Sequence, residues 1–382
     1  MCSSDLAKRP HTDEYLEAIK VYDEIPRLYP ETPQAEEAML RKGLTLTLYG
    51  SYSPAIKALE AFMEKYPQNV YVRKNVIQEN IDENLKGLID SYFRQDDMLA
   101  LVSAYSDYKA KYLFNFRFDT TLFQTAVAHR KLGFFDEALD ILRFLETRSG
   151  GTVGELVQLE KAQALLEKGD LTEARNTVAK FLQQYPNSSY DAEARQLLAR
   201  IYRQQKSYPR ALLVYQQTLQ KYDQNKQPLL AEIVPELYYD LAELQEETGN
   251  FVEAGEAFQD AISSYNHPLD HQDTPEYIIK SHFLTADMHN KALNDETAIK
   301  SYQQAISLYA DKTNKEIIER VFWARYQIGA IYTRQDEDQL ALKVFKQLMD
   351  EKTGEGQLWK KLATENHRAI SRKLAYDAYL KE

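Results

Sequence analysis

Two histidines and two aspartates stand close together in the sequence, at His267, Asp270, His271 and Asp273. Imidazole and carboxylate groups together suit zinc or a similar ion, so a metal site is conceivable here. The alternative is a polar loop between two helices, with aspartates that cap helix ends and histidines that face solvent. We favour the loop and predict that the chain binds no metal.

No motif of the common catalytic sites is found in the sequence. It has no glycine loop that could cradle a phosphate and no nucleophile elbow, and Cys2 is its only cysteine. We therefore predict that the protein is not an enzyme, with no catalytic residue and no bound cofactor.

The elements that would position a binding site come from a repeated four-point pattern. A small residue is followed by an apolar one four places on, another three places further, and then a break, as in Ala55, Leu59, Phe62 and Pro67. The other copies begin at Ala18, Ala138, Ala174, Ala211, Ala254, Ala298 and Ala341. A fixed internal period is typical of a stacked repeat protein.

Most of these alanines have a second small residue upstream, in a preceding amphipathic segment. These residues are Gly43, Ala126, Ala162, Ala199, Ala242, Ala286 and Gly329. Small side chains at such paired points let two antiparallel helices approach closely. A glycine between the two segments, as at Gly50 and Gly133, suits the end of the first helix. The predicted unit is a helix, a tight turn and a second helix.

This spacing resembles the tetratricopeptide repeat, over residues 13–350. The resemblance implies an all-α fold, a right-handed α-solenoid of about nine helix pairs with a C-terminal capping helix. It also implies a protein–protein interaction scaffold that binds a peptide or helix of a partner protein in its concave groove.

The predicted array covers residues 7–355, and its first pair lacks the first helix. Residues 1–6 match the peptide that a sequencing adapter encodes when GTG is read as a start codon, so we predict that they are an artefact. The gap between Ala55 and Ala138 is long enough for two units, one of them degenerate around residues 70–112. Residues 356–382 are predicted to form the capping helix.

The resemblance further implies that the first helices of the pairs line the concave groove. The family's groove positions fall on Phe123, Gln163, Gln196, Arg200, Arg203, Tyr239, Glu243, Phe283, Asp287 and Tyr326. This mixed aromatic and polar surface suits an extended peptide or a partner helix. The lysine and asparagine arrangement by which some relatives clamp a C-terminal carboxylate is absent at these positions.

The charge balance disfavours nucleic acid as a partner. Lys and Arg total 47 against 58 Asp and Glu, and the net charge of −11 repels phosphate backbones. No apolar run reaches the roughly 18–20 residues that span a bilayer. We predict an unidentified protein partner, with membrane anchoring only through a missing N-terminus.

Residues 62–69 and 181–188 look like repeats of bacterial envelope-associated tetratricopeptide proteins. A scaffold role in cell-envelope assembly and a periplasmic or envelope-associated location are therefore favoured, with a cytoplasmic location left open. The alternative function is a docking module of a larger enzyme or sensor whose N-terminal domain lies upstream of this sequence.

Overall fold

In the computed structural model, the regular elements of the described residues are all α-helices. The structure describes residues 12–111, 118–148, 151–223, 233–265, 267, 274–311 and 314–380. The chain divides into two compact units, Met1–Ser188 and Ser189–Glu382. Residues 1–6, the predicted adapter artefact, lie outside the described residues. Among the helices of the described residues, none has both the length and the apolar character of a membrane span.

Helices α1 to α10 make up the first unit. They are α1 (Thr12–Leu28), α2 (Pro33–Tyr49), α3 (Tyr52–Lys65), α4 (Val70–Arg73), α5 (Val76–Arg94), α6 (Met98–Lys111), α7 (Asp119–Lys131), α8 (Phe135–Glu146), α9 (Gly151–Lys168) and α10 (Leu171–Gln184). Short turns join α2 to α3, α5 to α6, α7 to α8 and α9 to α10, so each of these is an antiparallel pair. The predicted degenerate unit corresponds to α4, α5 and α6.

The second unit continues the same arrangement. Its helices are α11 (Asp191–Gln204), α12 (Tyr208–Asp223), α13 (Ile233–Glu247), α14 (Phe251–Ser264), α15 (Glu276–Lys291), α16 (Asp295–Tyr309), α17 (Lys315–Arg334), α18 (Asp338–Asp350) and α19 (Gln357–Tyr379). Four pairs, from α11–α12 to α17–α18, precede the single helix α19. Both units consist of the stacked helix pairs of an α-solenoid, and the predicted all-α fold class is confirmed.

In the pairs α2–α3 and α17–α18, a glycine of the first helix lies in close contact with an apolar residue of the second. A Cβ atom at Gly43 would lie 2.5 Å from Leu59 Cδ2, and one at Gly329 would lie 2.5 Å from Phe345 Cε1. Leu59 and Phe345 stand four places after the repeated alanine, and both are 0% exposed. Seven of the eight repeated alanines are likewise fully buried, while Ala18 on α1 is half-buried. The pattern therefore marks the core of each pair.

A residue in the left-handed conformation follows the first helix of most pairs. Gly50 has a φ of 82°, and its N–H donates to the carbonyl of Thr47. Lys206, Leu293 and Asp336 adopt the same conformation at the equivalent turns, with φ of 55°, 61° and 58°. A side chain in this conformation costs about 1–2 kcal/mol. Glycine is therefore favoured at these turns but is not required.

Helix α19 covers the core at the end of the second unit. Ala363 and Ile370, at 0% and 4% exposed, join a cluster that includes Phe322 and Phe345. Trp359 lies against Tyr326, with 5.6 Å between the ring centroids. These contacts support the capping role that the sequence predicts for this helix.

The close contact at Gly329 gives a stability prediction. Gly329→Val should lower the free energy of unfolding by about 1–3 kcal/mol, because the new side chain overlaps the ring of Phe345. Urea denaturation followed by circular dichroism measures the change. Gly354→Val is the matched control, since a Cβ at Gly354 has nothing within 4 Å. Equal stability of the two variants would contradict the close packing.

Candidate partner-binding face

The first helices α11, α13, α15 and α17 of the second unit carry a surface that we call the first-helix face. On it, Arg200 of α11 is bound by two carboxylates of α13. Its Nε donates to Asp240 Oδ2 at 2.7 Å, and its Nη2 donates to Glu236 Oε1 at 2.7 Å. Gln196 Nε2 and the Tyr215 hydroxyl also donate to Asp240 Oδ2, at 2.9 and 3.4 Å. Asp240 is only 5% exposed, so these donors compensate a buried charge.

Arg203 repeats this arrangement about one turn further along α11. Its Nη1 donates to Glu243 Oε2 at 2.8 Å, and its Nε donates to Glu247 Oε2 at 2.7 Å. The acidic partners follow a helical spacing that places them on one face of α13. They are Glu236, Asp240, Glu243 and Glu247. We call these four carboxylates and the two arginines the ionic ladder.

The carboxylates of the ionic ladder raise the pKa of both guanidinium groups. Burial alone would lower the pKa of Arg200, but Asp240 and Glu236 raise it above the ordinary arginine value. Burial alone would likewise lower the pKa of Arg203, but Glu243 and Glu247 raise it above the ordinary arginine value. Both arginines stay charged at physiological pH. The two guanidinium groups of the ionic ladder therefore keep their positive charge in the contacts between α11 and α13.

Lys291 extends this arrangement from α13 to α15. Its Nζ lies 2.7 Å from Glu246 Oε1 and 2.9 Å from Asp287 Oδ2. The Tyr302 hydroxyl donates to the other carboxylate oxygen of Asp287 at 3.2 Å. Lys291 thus has two carboxylate partners, as each arginine of the ionic ladder has. Two acids accompany each of these three cations, so this set of residues has more carboxylates than cations.

Tyr239 forms an aromatic surface beside the ionic ladder. Its ring centroid lies 5.5 Å from that of Phe258 and 5.8 Å from that of Tyr277 on α15. Tyr239 and Tyr277 are both half-buried, so part of each ring is accessible. Burial and the nearby Glu243 raise the pKa of the Tyr239 hydroxyl. The phenol therefore stays protonated and can donate a hydrogen bond.

Two other predicted groove residues of this unit contribute mainly to packing. Phe283 is 0% exposed, and its ring centroid lies 5.6 Å from that of Tyr309. Tyr326 lies against Trp359 of α19, and its hydroxyl accepts a hydrogen bond from Asn366 Nδ2 at 3.0 Å. Phe283 is therefore a core residue, and Tyr326 belongs to the contact with the terminal helix.

The first unit contains the remaining predicted groove residues, Phe123 and Gln163, and both are half-buried. Gln163 Nε2 donates to Glu167 Oε1 on its own helix, at 2.6 Å. Arg130 of α7 bridges to Glu167 at 2.7 Å and also pairs with Glu160 on α9. This unit thus has its own arginine held by two carboxylates of the next first helix.

Three of the four acidic partners of the arginines are not among the predicted groove residues. Glu236, Asp240 and Glu247 hold Arg200 and Arg203, yet only Glu243 was predicted as a site residue. The spacing of these acids along α13 is a signal in the sequence, because it matches two arginines one turn apart in the preceding helix pair. It could have indicated that the arginines have partners within the chain.

The predicted polar loop contributes one described residue, His267, whose side chain is exposed. Asp270, His271 and Asp273 lie outside the described residues. In the part of the chain that the structure describes, no group of three or more His, Cys, Asp or Glu side chains could hold a metal ion.

One histidine is buried within the second unit. His282 on α15 is 8% exposed, and its ring meets Tyr309 edge-on at 5.6 Å between centroids. Its Nε2 has no hydrogen-bond partner among the described residues. Burial lowers the pKa of His282 to about 4, from an ordinary value of 6.5. The ring is therefore neutral at physiological pH.

Comparison with protein-family models recognises tetratricopeptide repeats in both units. Two models described as tetratricopeptide repeat match the chain, one over residues 37–69 and the other over residues 123–189 and 159–226. The predicted resemblance to this repeat is confirmed at these positions. No curated protein sequence matches the chain significantly.

Several solved structures share the fold. A tetratricopeptide sensor-containing STAND signal-transduction ATPase from Pyrococcus horikoshii has a TM-score of 0.54 and 13% identity, over 96% of this chain and 54% of that one. The C-terminal part of a repeat-containing protein from Cytophaga hutchinsonii has a TM-score of 0.51 and 14% identity, over 72% of this chain and 98% of that one. The apo form of RapI has a TM-score of 0.52 and 10% identity, over 90% of this chain and 99% of that one. At these identities the likeness shows the fold alone.

The ionic ladder gives a second stability prediction. Arg200→Ala should lower the free energy of unfolding by about 1–3 kcal/mol, because Asp240 stays buried without its charged partner. Arg41→Ala is the control, since Arg41 and Glu37 form a pair whose side chains are 59% and 55% exposed. Its stability should stay close to that of the parent chain. A loss at Arg200 no greater than that at Arg41 would argue against the ionic ladder.

His282 predicts a pH dependence of stability. The folded chain binds a proton at His282 more weakly than the unfolded chain does. Burial of the neutral ring therefore contributes its full stability above pH 6.5, and this contribution is lost as the pH falls towards 4. The slope from this one group is at most about 1.4 kcal/mol per pH unit. His282→Phe should flatten the decline in a series of denaturation curves across this range. If the stability of the parent and that of the variant fell equally between pH 6.5 and pH 4, His282 would not be the cause of the decline.

Proposed function

We propose that this protein is a non-catalytic scaffold that binds a segment of a partner protein on its first-helix face. Tetratricopeptide repeats are generally protein–protein interaction modules, and they are recognised in this chain. The observation that carries the proposal is the position of the accessible rings of Tyr239 and Tyr277 beside a surface rich in carboxylates. Aromatic rings supply contact area, and the carboxylates select the charge of the partner.

The ionic ladder divides the predicted groove residues into two groups. Gln196, Arg200, Arg203 and Glu243 form contacts between α11 and α13, while Asp287 contacts Lys291 on its own helix and Tyr302 on α16. Their positive charges are already balanced within the chain, so these arginines would attract an acidic partner only weakly. The accessible ring of Tyr239 forms the second group, and it remains for partner contact together with Tyr277 and the partly exposed carboxylates of Glu236 and Glu247.

The excess of carboxylates favours a basic partner segment. A lysine or arginine placed against Glu236 or Glu247 would gain a charged hydrogen bond, and both of these side chains are about 40% exposed, at 39% and 40%. An arginine could also stack on the ring of Tyr239 or Tyr277. We therefore propose that the partner is an extended or helical segment rich in Lys and Arg.

The finer points of location and context stay predictions. A lipoprotein or secretory signal upstream of residue 7 in the intact open reading frame would favour the envelope location. A kinase, transferase or regulator domain at the same place would favour the docking module of a larger enzyme or sensor. Sequencing the intact locus distinguishes the two.

The proposal predicts selective binding of basic peptides. On an array of short peptides of varied charge, the intact chain should retain basic peptides, and less so at higher salt. The double variant Tyr239→Ser/Tyr277→Ser should weaken the best peptide about tenfold or more, measured by fluorescence anisotropy.

The matched control is Tyr376→Ser/Tyr379→Ser, which removes two tyrosines of α19 that are 62% and 74% exposed. It should leave the affinity unchanged. Equal losses in the two double variants, or preference for acidic peptides, would move the site away from the first-helix face.

A further inference from the structure

The pair α5–α6 departs from the packing of the regular pairs. Gly87 is the small residue of α5, but the neighbours nearest to it do not come from α6. A Cβ atom at Gly87 would instead lie 2.5 Å from Cε1 of Tyr52, at the start of α3. At Gly43 and Gly329 the close neighbour comes from the second helix of the same pair. At Gly87, helix α5 therefore makes its closest contact with α3 of the preceding pair.

Helix α6 also lacks the repeated alanine. Leu101 takes the fourth place of α6, where the regular second helices have alanine, and it is 0% exposed. Tyr105 and Tyr108 follow at the two apolar places, at 8% and 6% exposed. Larger side chains at a helix crossing increase the distance between the helix axes. Leucine in this place therefore favours a wider separation of α6 from α5 than alanine does.

A groove of about 320 Å³ opens between α3, α5 and α6 at this point. Its apolar lining consists of Ile56, Leu85, Leu88 and Tyr92, and the α6 wall presents the small residues Ala100, Ser103 and Ala104. The lining runs from Ser53 to Glu60 on α3 and from Ala100 to Lys111 on α6. At 1.5 Å per residue these walls are roughly 10 and 16 Å long, or about two to three helical turns.

Opposite charges flank the groove. Lys57 lies on the α3 wall and Asp107 on the α6 wall, and neither forms an ion pair with another described residue. Lys111, by contrast, is paired with Glu60 at 3.0 Å. An occupant therefore meets an unpaired positive charge on one side, an unpaired negative charge on the other, and an apolar floor between them.

We propose that this groove docks an amphipathic helix of a partner protein, about two to three turns long. The partner helix directs an apolar stripe towards Leu85 and Leu88, an acidic residue towards Lys57 and a basic residue towards Asp107. Small side chains on the α6 wall let its backbone approach closely. A second copy of this chain is disfavoured, because a net charge of −11 on each copy is repulsive. The groove shares no residue with the first-helix face.

Selection of helical peptides from a displayed library on the intact chain tests the proposal. The selected peptides should share an apolar stripe flanked by an acid on one side and a base on the other. Ala104→Trp should fill the groove and weaken them about tenfold or more. Lys57→Glu should weaken them about two- to fivefold, and exchanging the acid of the peptide for lysine should restore binding.

Leu213→Trp is the matched control, since Leu213 is 53% exposed on the regular second helix α12 and should tolerate the change without loss of peptide binding. Ser103→Phe, at an exposed position of the groove wall, replaces Ala104→Trp if that variant does not fold. Peptides without an apolar stripe, or binding unchanged in the groove variants, would overturn the proposal. Dimerisation of the chain that Ala104→Trp or Ser103→Phe abolishes would assign the groove to a second copy and would also overturn it.

Discussion

The close approach of two antiparallel helices at a glycine or an alanine is the constraint on which the rest of the structure depends. At Gly43 and Gly329 there is no room for a Cβ atom, because Leu59 and Phe345 occupy that space. This contact sets the distance between the two helices of a pair. The distance in turn determines which side chains of the first helix stay at the surface and can meet the next pair.

The ionic ladder joins the surface of one helix pair to that of the next. Arg200 and Arg203 reach carboxylates that are 36 to 44 residues away in sequence, the distance from one pair to the next. Such contacts align successive first helices and neutralise the arginines. They also leave more carboxylates than cations on the face, so the connection between pairs influences which partner the face attracts.

In the pair α5–α6 the constraint on close approach is relaxed. With Leu101 in the place of the repeated alanine, and with Gly87 packed on Tyr52, the second helix stands apart and a groove forms. A loss of the repeat pattern is therefore not only a loss of regularity. It changes a packed contact into an accessible surface, within an array whose regular pairs keep their cores closed.

The sequence by itself determined the helices, their pairing and most of the core. The repeated alanines and the apolar residues after them depend on local helical periodicity, which is readable in one chain, and seven of the eight alanines are fully buried. The tertiary structure decided which surface residues are available. Arg200 and Tyr239 occupy similar groove positions in sequence, yet one is held by Asp240 and the other keeps an accessible ring. That difference depends on the rotation and spacing of helices from different pairs, which no local pattern encodes.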